Sequence, residues 1–258
     1  MNRPPRGKVL FITGTDTGVG KTVLTVLLLR FLRSQGVHAI ALKPFCSGPR
    51  DDATWLHEEG GGELTLDEIN PYHFQAPVAP AATRSEVKKP LTRSRVLAHI
   101  HRVATHFDVT LVEGIGGLLV PLTRSLVLAD VIEGLKCETA VVGKDALGTL
   151  NHSLLTFSEL RRRKIPATQL VLMKNFAPDA SQSTNSLVLS QLIAPVPVAV
   201  LPKLVGGRLL KPKNKLDAII LKKTIARFGE VSIFCPRRCE HDDASRKQTQ
   251  RRGRAGCQ

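Results

Sequence analysis

The chain has 258 residues, of which 42% are hydrophobic and 23% charged, a balance typical of soluble globular proteins that argues against wholesale disorder. Its apolar stretches fall well short of the roughly 18 residues that span a bilayer, and its basic N-terminus leads directly into a strand-like segment, so neither a membrane protein nor a secreted one is predicted. The five cysteines are too few and too scattered for a disulfide framework, and we expect a reduced, cytoplasmic chain.

The positive charge is concentrated near the C-terminus. Residues 203–258 carry +10 of the formal net charge of +15, whereas the preceding part of the chain is close to neutral. From Glu240 onward no apolar period could bury a face. We therefore expect one domain over residues 1–235 and a basic, disordered tail over residues 236–258. Such a tail can contact nucleic acid through phosphates, but a solvated extension without that partner is the simpler expectation.

Short apolar runs alternate with helix-forming segments along the chain. In order, the pattern predicts a strand at Val9–Ile12, a helix at Val23–Leu32, a strand at Ala39–Leu42, helices at Asp52–Glu59 and Ser94–His106, a strand at Val109–Val112 that ends at Glu113, a helix at Leu126–Leu135, a strand at Thr139–Val142, a helix at Asn151–Arg163, strands at Leu170–Met173 and Val196–Leu201, and a last amphipathic helix at Leu216–Phe228 with Ile219, Ile220, Ile225 and Phe228 facing inward. Buried strands separated by helices predict an α/β fold with a doubly wound, mostly parallel sheet.

A glycine-rich turn lies between the first predicted strand and the first predicted helix. Residues 12–23 read Ile-Thr-Gly-Thr-Asp-Thr-Gly-Val-Gly-Lys-Thr-Val. In this setting backbone amides at a helix N-terminus hold phosphate, Lys21 reaches the outer phosphates and the Thr22 hydroxyl holds Mg²⁺. The spacing departs by one place from the strict phosphate-loop pattern, since five residues separate Gly14 from Gly20. Asp16 stands where partitioning ATPases carry an additional lysine.

Three charged residues lie at the ends of predicted elements. Glu113 closes an apolar strand and is followed by Gly-Ile-Gly-Gly, a position typical of a functional side chain. Asp52 opens a helix, where a solvated carboxylate is the simpler interpretation, and Asp51 is an alternative ligand. Lys43 follows the second strand, and a fixed cation there is useful where negative charge develops, although an ordinary solvated lysine fits equally well.

Six segments carry a specific resemblance. They are Gly-Thr-Asp-Thr-Gly-Val-Gly-Lys-Thr at 14–22, Lys-Pro-Phe-Cys-Ser-Gly at 43–48, Asp-Ala at 52–53, Asn-Pro-Tyr-His-Phe at 70–74, Val-Glu-Gly-Ile-Gly-Gly at 112–117 and Gly-Thr-Leu-Asn-His at 148–152. Together, in this order, they resemble the motifs of the ATP-dependent dethiobiotin synthetase family. The resemblance extends over about residues 12–202.

The resemblance implies a P-loop NTPase-like fold and a cytoplasmic ligase of biotin biosynthesis that uses ATP and Mg²⁺. It implies a reaction in three steps. One amine of 7,8-diaminononanoate reacts with CO₂, supplied as CO₂ or bicarbonate, to form a carbamate. ATP then phosphorylates the carbamate, and the second amine closes a cyclic urea. It also implies a homodimer with the site at the subunit interface, with no membrane or nucleic-acid partner.

The resemblance also implies roles for individual residues. Lys21 and Lys43 would be catalytic, and Thr22, Asp52 and Glu113 would hold the metal. The implied ATP-binding residues are Gly18, Val19, Gly20, Lys21, Thr22, Val23, Asp52, Glu113, Gly114, Ile115, Gly116, Asn175, Phe176, Pro202, Lys203 and Leu204. The implied substrate-binding residues are Thr15, Ser47, Gly148, Thr149, Leu150 and Asn151. Phe176 stands where the family often has aspartate, which leaves the nucleotide preference open.

Three other functions fit parts of the pattern. A cobyrinic acid amide-forming ligase has a similar loop, but it needs a glutaminase domain for which 258 residues leave no room. A DNA-associated ATPase would suit the basic tail but not Asp16. An inactive nucleotide-binding regulator would not need the charged residues Lys21, Lys43 and Glu113.

Overall fold

Ten strands and eight α-helices build the described part of the chain. The computed structural model describes residues 7–83, 90–174, 177, 179–205, 207, 210–212 and 215–229. The predicted domain boundary at 235, the basic tail and two of the implied ATP-binding residues, Asn175 and Phe176, lie outside these residues. None of the helices described is long and apolar enough to cross a membrane.

The strands and helices follow one another in a largely alternating order. The strands are β1 (Lys8–Gly14), β2 (Ala39–Leu42), β3 (Phe45–Ser47), β4 (Tyr72–Phe74), β5 (Val109–Gly117), β6 (Glu138–Asp145), β7 (Ala167–Lys174), β8 (Val198–Leu201), β9 (Leu204–Val205) and β10 (Lys211–Pro212). The helices are α1 (Lys21–Ser34), α2 (Asp51–Glu59), α3 (Leu66–Ile69), α4 (Arg93–Ala104), α5 (Leu128–Leu135), α6 (Thr149–Arg162), α7 (Asn185–Leu192) and α8 (Lys215–Gly229).

A six-stranded sheet forms the centre of the fold. Its order is β2-β5-β1-β6-β7-β8, and every neighbouring pair in it is parallel. The apolar residues in the middle of β1, those of β2 and those of the first half of β5 are fully buried, as expected of parallel strands covered on both faces. The predicted doubly wound α/β fold is therefore confirmed.

The strand order reverses at β1, which places a crevice at the carboxyl ends of the central strands. β1 pairs with β5 on one side and with β6 on the other. In open α/β sheets, ligands bind at such a reversal, outside the carboxyl ends of the strands. The glycine-rich turn leaves β1 at this point, Lys43 follows β2 there, and Glu113 lies on β5 beside them.

The strand that carries Glu113 is longer than the sequence predicted. The expected end at Glu113 is wrong, because β5 continues to Gly117. β5 pairs with β1 at Ile12 opposite Glu113 and again at Gly14 opposite Gly117, with a shift of register between these two pairs. Glu113 consequently lies inside a strand and is completely buried.

Several short elements were not predicted. β3 and β4 form a separate parallel pair, and β9 and β10 an antiparallel one. α3 has a capping box in which Thr65 and Glu68 bond each other's backbone amides. The inward orientation predicted for Ile219 of α8 is wrong, since that residue is 51% exposed, whereas Ile225 and Phe228 are buried.

Candidate active site

The glycine-rich turn connects β1 to α1 through backbone conformations that favour glycine. Gly18 has φ of 66° and Gly20, the N-cap of α1, has φ of 101°. A Cβ at Gly20 would lie 3.0 Å from Cε and Cγ of Met173, so the loop also packs tightly against β7. The amides at the start of α1 have no side-chain cap, which leaves them available to an anion.

Lys21 bridges this loop and the end of β5. Its buried ammonium donates hydrogen bonds to the backbone oxygens of Asp16 and Gly116, both at 2.8 Å. Burial, together with the neighbouring positive charge of Lys43, lowers the pKa of Lys21 to about 8. Two carbonyl oxygens thus hold the Lys21 ammonium beside the uncapped amides at the start of α1.

Glu113 is the centre of a buried polar cluster. Its Oε1 accepts hydrogen bonds from Thr22 Oγ1 at 2.7 Å and from Lys43 Nζ at 2.5 Å. Lys43 Nζ also lies 3.1 Å from Oδ2 of Asp52, whose side chain is half exposed. Burial by itself would lower the pKa of Lys43, but the carboxylates of Glu113 and Asp52 outweigh burial and raise the pKa. Lys43 is therefore a fixed cation.

The second oxygen of Glu113 has an unusual environment. Glu113 Oε2 is buried and accepts no hydrogen bond from the described residues. A buried carboxylate oxygen without a partner is costly, and a cation supplied with a ligand would satisfy it. Mg²⁺ is commonly held by one or two carboxylates, a hydroxyl and the phosphates of a substrate. Thr22, Asp52 and Glu113 supply that donor set, so the residues fit a magnesium ion.

A first cavity of about 560 Å³ opens over this cluster. It brings together many of the residues predicted from sequence, namely Gly18, Gly20, Lys21, Thr22, Val23, Lys43, Ser47, Asp52, Glu113, Ile115 and Gly116. Its far wall is formed by residues 77–80 and by β3. Ser47 Oγ is buried there and has no partner among the described residues, so it can accept or donate a bond to a ligand.

The loop that carries Lys43 is supported by a residue whose role the sequence did not reveal. Asn70, 1% exposed, donates from Nδ2 to the backbone oxygen of Lys43 at 2.8 Å. Arg50 in turn donates to the side-chain and backbone oxygens of Asn70, at 2.9 and 3.0 Å. Asn70 belongs to the Asn-Pro-Tyr motif, which was the only signal available. Through the buried Asn70 amide, this motif supports the backbone at Lys43.

A second cavity of about 730 Å³ lies on the other side of the glycine-rich turn. The predicted residues that line it are Gly18, Val19, Gly20, Val23, Asp52, Pro202, Lys203 and Leu204. Trp55, Lys144 and Met173 also line it and were not predicted from sequence. Asp51 lines this cavity only, whereas Asp52 lines both.

Some predicted site residues line neither of these two cavities. They are Thr15, Gly114, Gly148, Thr149, Leu150 and Asn151. Gly114 is a packing residue, because a Cβ there would lie 2.8 Å from Leu128 Cδ2. Gly148, with φ of 89°, is the N-cap of α6 and has no side-chain cap. Thr149 Oγ1 is buried without a partner in the described part of the chain.

Comparison with known proteins identifies both relatives and fold neighbours. A family model described as an AAA domain matches residues 8–205. The ATP-dependent dethiobiotin synthetase BioD of Anaeromyxobacter dehalogenans is 39% identical over 198 residues, which cover 75% of this chain and 89% of that protein. The enzyme of the same name from Bacillus subtilis is 32% identical over 200 residues, covering 75% and 87%.

Solved structures support the fold alone. The Pyrococcus furiosus cell division ATPase MinD matches with a TM-score of 0.55 at 17% identity, covering 87% of this chain and 98% of that one. The MinD protein of Pyrococcus horikoshii, complexed with Mg-ADP, matches with a TM-score of 0.55 at 16% identity, covering 88% and 98%.

Proposed function

The chain belongs to the ATP-dependent dethiobiotin synthetase family, and on that premise we propose which of its residues carry out the reaction. The protein is an ATP-dependent ligase of biotin biosynthesis. The observation that carries the residue assignment is Glu113, buried between Thr22 and Lys43 with one oxygen unpartnered beside the glycine-rich turn.

The triphosphate of ATP would lie over the amides of residues 18–22. Lys21, released from the carbonyl oxygens of Asp16 and Gly116, would bind the outer phosphate oxygens, since a phosphate is the stronger partner for an ammonium. Thr22, Asp52 and Glu113 would hold Mg²⁺, which neutralises phosphate charge in phosphoryl transfer. The positioning of charges accounts for most of the catalysis in such reactions.

The organic substrate would occupy the first cavity beside Lys43 and Ser47. One amine of 7,8-diaminononanoate takes up CO₂ and loses a proton to give a carbamate. A carbamate oxygen attacks the terminal phosphorus of ATP and ADP leaves. The second amine then attacks the carbamoyl carbon, phosphate leaves and a cyclic urea is closed. Lys43 would stabilise the negative charge of the carbamate and of the transferred phosphoryl group, because it is a buried, fixed cation.

The start of α6 would bind the carboxylate of the substrate across a homodimer interface. Residues 148–151 line neither cavity of their own subunit, which fits a role in a partner's site. Two large apolar side chains of this region are exposed: Leu147, just before α6, is 86% exposed, and Leu155, in the middle of α6, is 63% exposed. Exposed leucines of this kind favour a protein interface. The uncapped amides of α6 and Thr149 Oγ1 would face the carboxylate.

We also propose that the protein is located in the cytoplasm. Cys46 and Cys137 are both free thiols, and neither is paired in the described residues. Free buried thiols are typical of proteins that fold in a reducing compartment.

A product assay tests this function directly. Purified protein is mixed with ATP, Mg²⁺, bicarbonate and 7,8-diaminononanoate, and dethiobiotin and ADP are measured by mass spectrometry. We expect dethiobiotin in step with ADP, and no dethiobiotin when any one component is omitted. ADP without dethiobiotin would contradict the proposed substrate, and ATP binding without either product would contradict the proposed catalysis.

A further inference from the structure

Trp55 lies where the two cavities of the site meet. It is the chain's single tryptophan and stands on α2, one turn after Asp52. Its side chain lines both the first and the second cavity. The glycine-rich turn contributes Gly18, Gly20 and Val23 to both cavities as well. The indole therefore borders the passage that connects the phosphate-binding turn with the second cavity.

The edge of the indole is held in place by side chains outside the cavities. Trp55 Nε1 donates a hydrogen bond to Oε1 of Glu59 at 3.1 Å. Glu59 is itself bound by the guanidinium of Arg30 on α1, with 2.8 Å from Nε to Oε2. An aromatic ring fixed along its polar edge keeps its orientation and presents its apolar surface at little entropic cost.

The second cavity suits the nucleoside half of a nucleotide. Its apolar walls are formed by Trp55, Val23, Met173, Pro202, Leu204 and Leu210. Pockets for small ligands are mostly apolar with a few polar groups, and nucleobases stack favourably on aromatic side chains. When the triphosphate lies over the glycine-rich turn, the connected ribose and base must leave it on one side. The first cavity contains the buried charges, so the second cavity is the side that accepts an apolar ring.

We propose that Trp55 is a nucleoside-contacting residue that packs against the ribose and base of bound ATP and favours purine nucleotides. This inference rests on the proposed function, because it requires ATP to bind at the glycine-rich turn. It adds a specificity-determining contact from α2 to the cavity that residues 202–204 also line.

Intrinsic fluorescence tests the contact in the unaltered protein. Because Trp55 is the sole tryptophan, excitation where tyrosine does not absorb reports on it alone. ADP and inorganic tripolyphosphate are titrated separately, and binding of each is measured in parallel by calorimetry. We expect ADP to change the emission and tripolyphosphate to bind with little change. Equal changes with both ligands, or ADP binding without a change, would overturn the inference. Absence of ADP binding by calorimetry would instead contradict the proposed function.

Substitutions separate contact from packing. Trp55→Ala should raise the KM for ATP roughly tenfold, the scale of one lost base–aromatic contact. The KM for 7,8-diaminononanoate, which does not depend on the nucleobase, should change less. Trp55→Phe should restore most of the ATP affinity. His57→Ala removes a ring from the same helix but lines neither cavity, and it should leave both KM values unchanged.

The nucleotide preference gives the last readout. The ratio of kcat/KM for ATP to that for CTP should fall in Trp55→Ala, because a purine loses more stacking surface than a pyrimidine. An unchanged ratio together with an unchanged KM for ATP would overturn the inference, provided that thermal unfolding shows the variant to be folded.

Discussion

The ammonium nitrogen of Lys43, which directly follows β2, lies 2.5 Å from Oε1 of Glu113 on the neighbouring β5, and both side chains are buried. The two residues are brought together by the pairing of neighbouring strands, in which Leu42 lies opposite Val112. Buried ion pairs are costly to separate, because removal of one partner leaves the other charge in a low-dielectric environment. The pair therefore fixes the position of a cation and of a carboxylate at the same place.

Glu113→Gln is expected to lower kcat by about 100- to 1,000-fold, since it removes the carboxylate charge from the centre of the site. The amide keeps the size of the side chain and an oxygen for Thr22. Dethiobiotin formation measures the effect, and calorimetry with ATP shows whether binding survives. Glu58→Gln, an exposed acid on α2, is the matched control. Normal turnover in Glu113→Gln would refute the assignment.

Asp52→Asn is expected to raise the Mg²⁺ concentration for half-maximal turnover on the order of tenfold, because a carboxylate ligand is lost. Asp51→Asn is the matched control, since Asp51 does not line the cavity that contains Glu113. The sequence left the choice between the two open. Asp52 is favoured as the metal ligand because its Oδ2 lies 3.1 Å from Lys43 Nζ, within the polar cluster around Glu113. A larger effect from Asp51→Asn would reverse the choice.

The sequence predicted what depends on local pattern. The glycine-rich turn was visible because one short segment contains its glycines, Lys21 and Thr22, and buried strands such as β1 are continuous apolar runs. The ion pair between Lys43 and Glu113 was not visible, because it depends on which strands become neighbours. The sequence indicates a role for each of these two residues but not their contact.

Other structural features were not predicted, because the hydrophobic pattern of their segments is too short or is ambiguous. β3 and β4 have three residues each, too few for an alternating period. Trp55 lies on α2, and the spacing of residues along the sequence does not show which face of this helix borders the cavities. Ile219 and Ile220 are adjacent, and an amphipathic pattern alone did not distinguish which of them faces solvent.

Alkylation of Cys46 is expected to be slow at neutral pH and to accelerate about tenfold per pH unit between about pH 8 and pH 10. Burial, only partly opposed by the charge of Lys43, raises the pKa of Cys46 to about 11, so the neutral thiol predominates below that pH. Iodoacetamide labelling of the Cys46 peptide by mass spectrometry measures the rate. Circular dichroism at each pH verifies that the protein stays folded. A rapid, pH-independent rate would show that the thiol is activated.

Leu155→Glu is expected to dissociate the proposed homodimer, because a charge would enter an apolar contact on α6. Sedimentation velocity measures the oligomeric state. The KM for 7,8-diaminononanoate should rise while ATP binding is retained, since the helix start is proposed to serve the partner's site. Ile219→Glu adds the same charge to an exposed residue of α8 and is the control. A dimer that persists in Leu155→Glu with normal KM would contradict this interface.

Phe228→Ala is expected to lower the free energy of unfolding by about 3–5 kcal/mol, because a fully buried aromatic side chain leaves a cavity when it is removed. Because α8 packs against β8 and α1, the loss of the Phe228 side chain would also destabilise the central sheet. Urea unfolding followed by circular dichroism measures the difference. Ile219→Ala, at a residue 51% exposed on the same helix, should cost no more than about 0.5 kcal/mol. Equal small effects of both substitutions would mean that α8 contributes little to the stability of the domain.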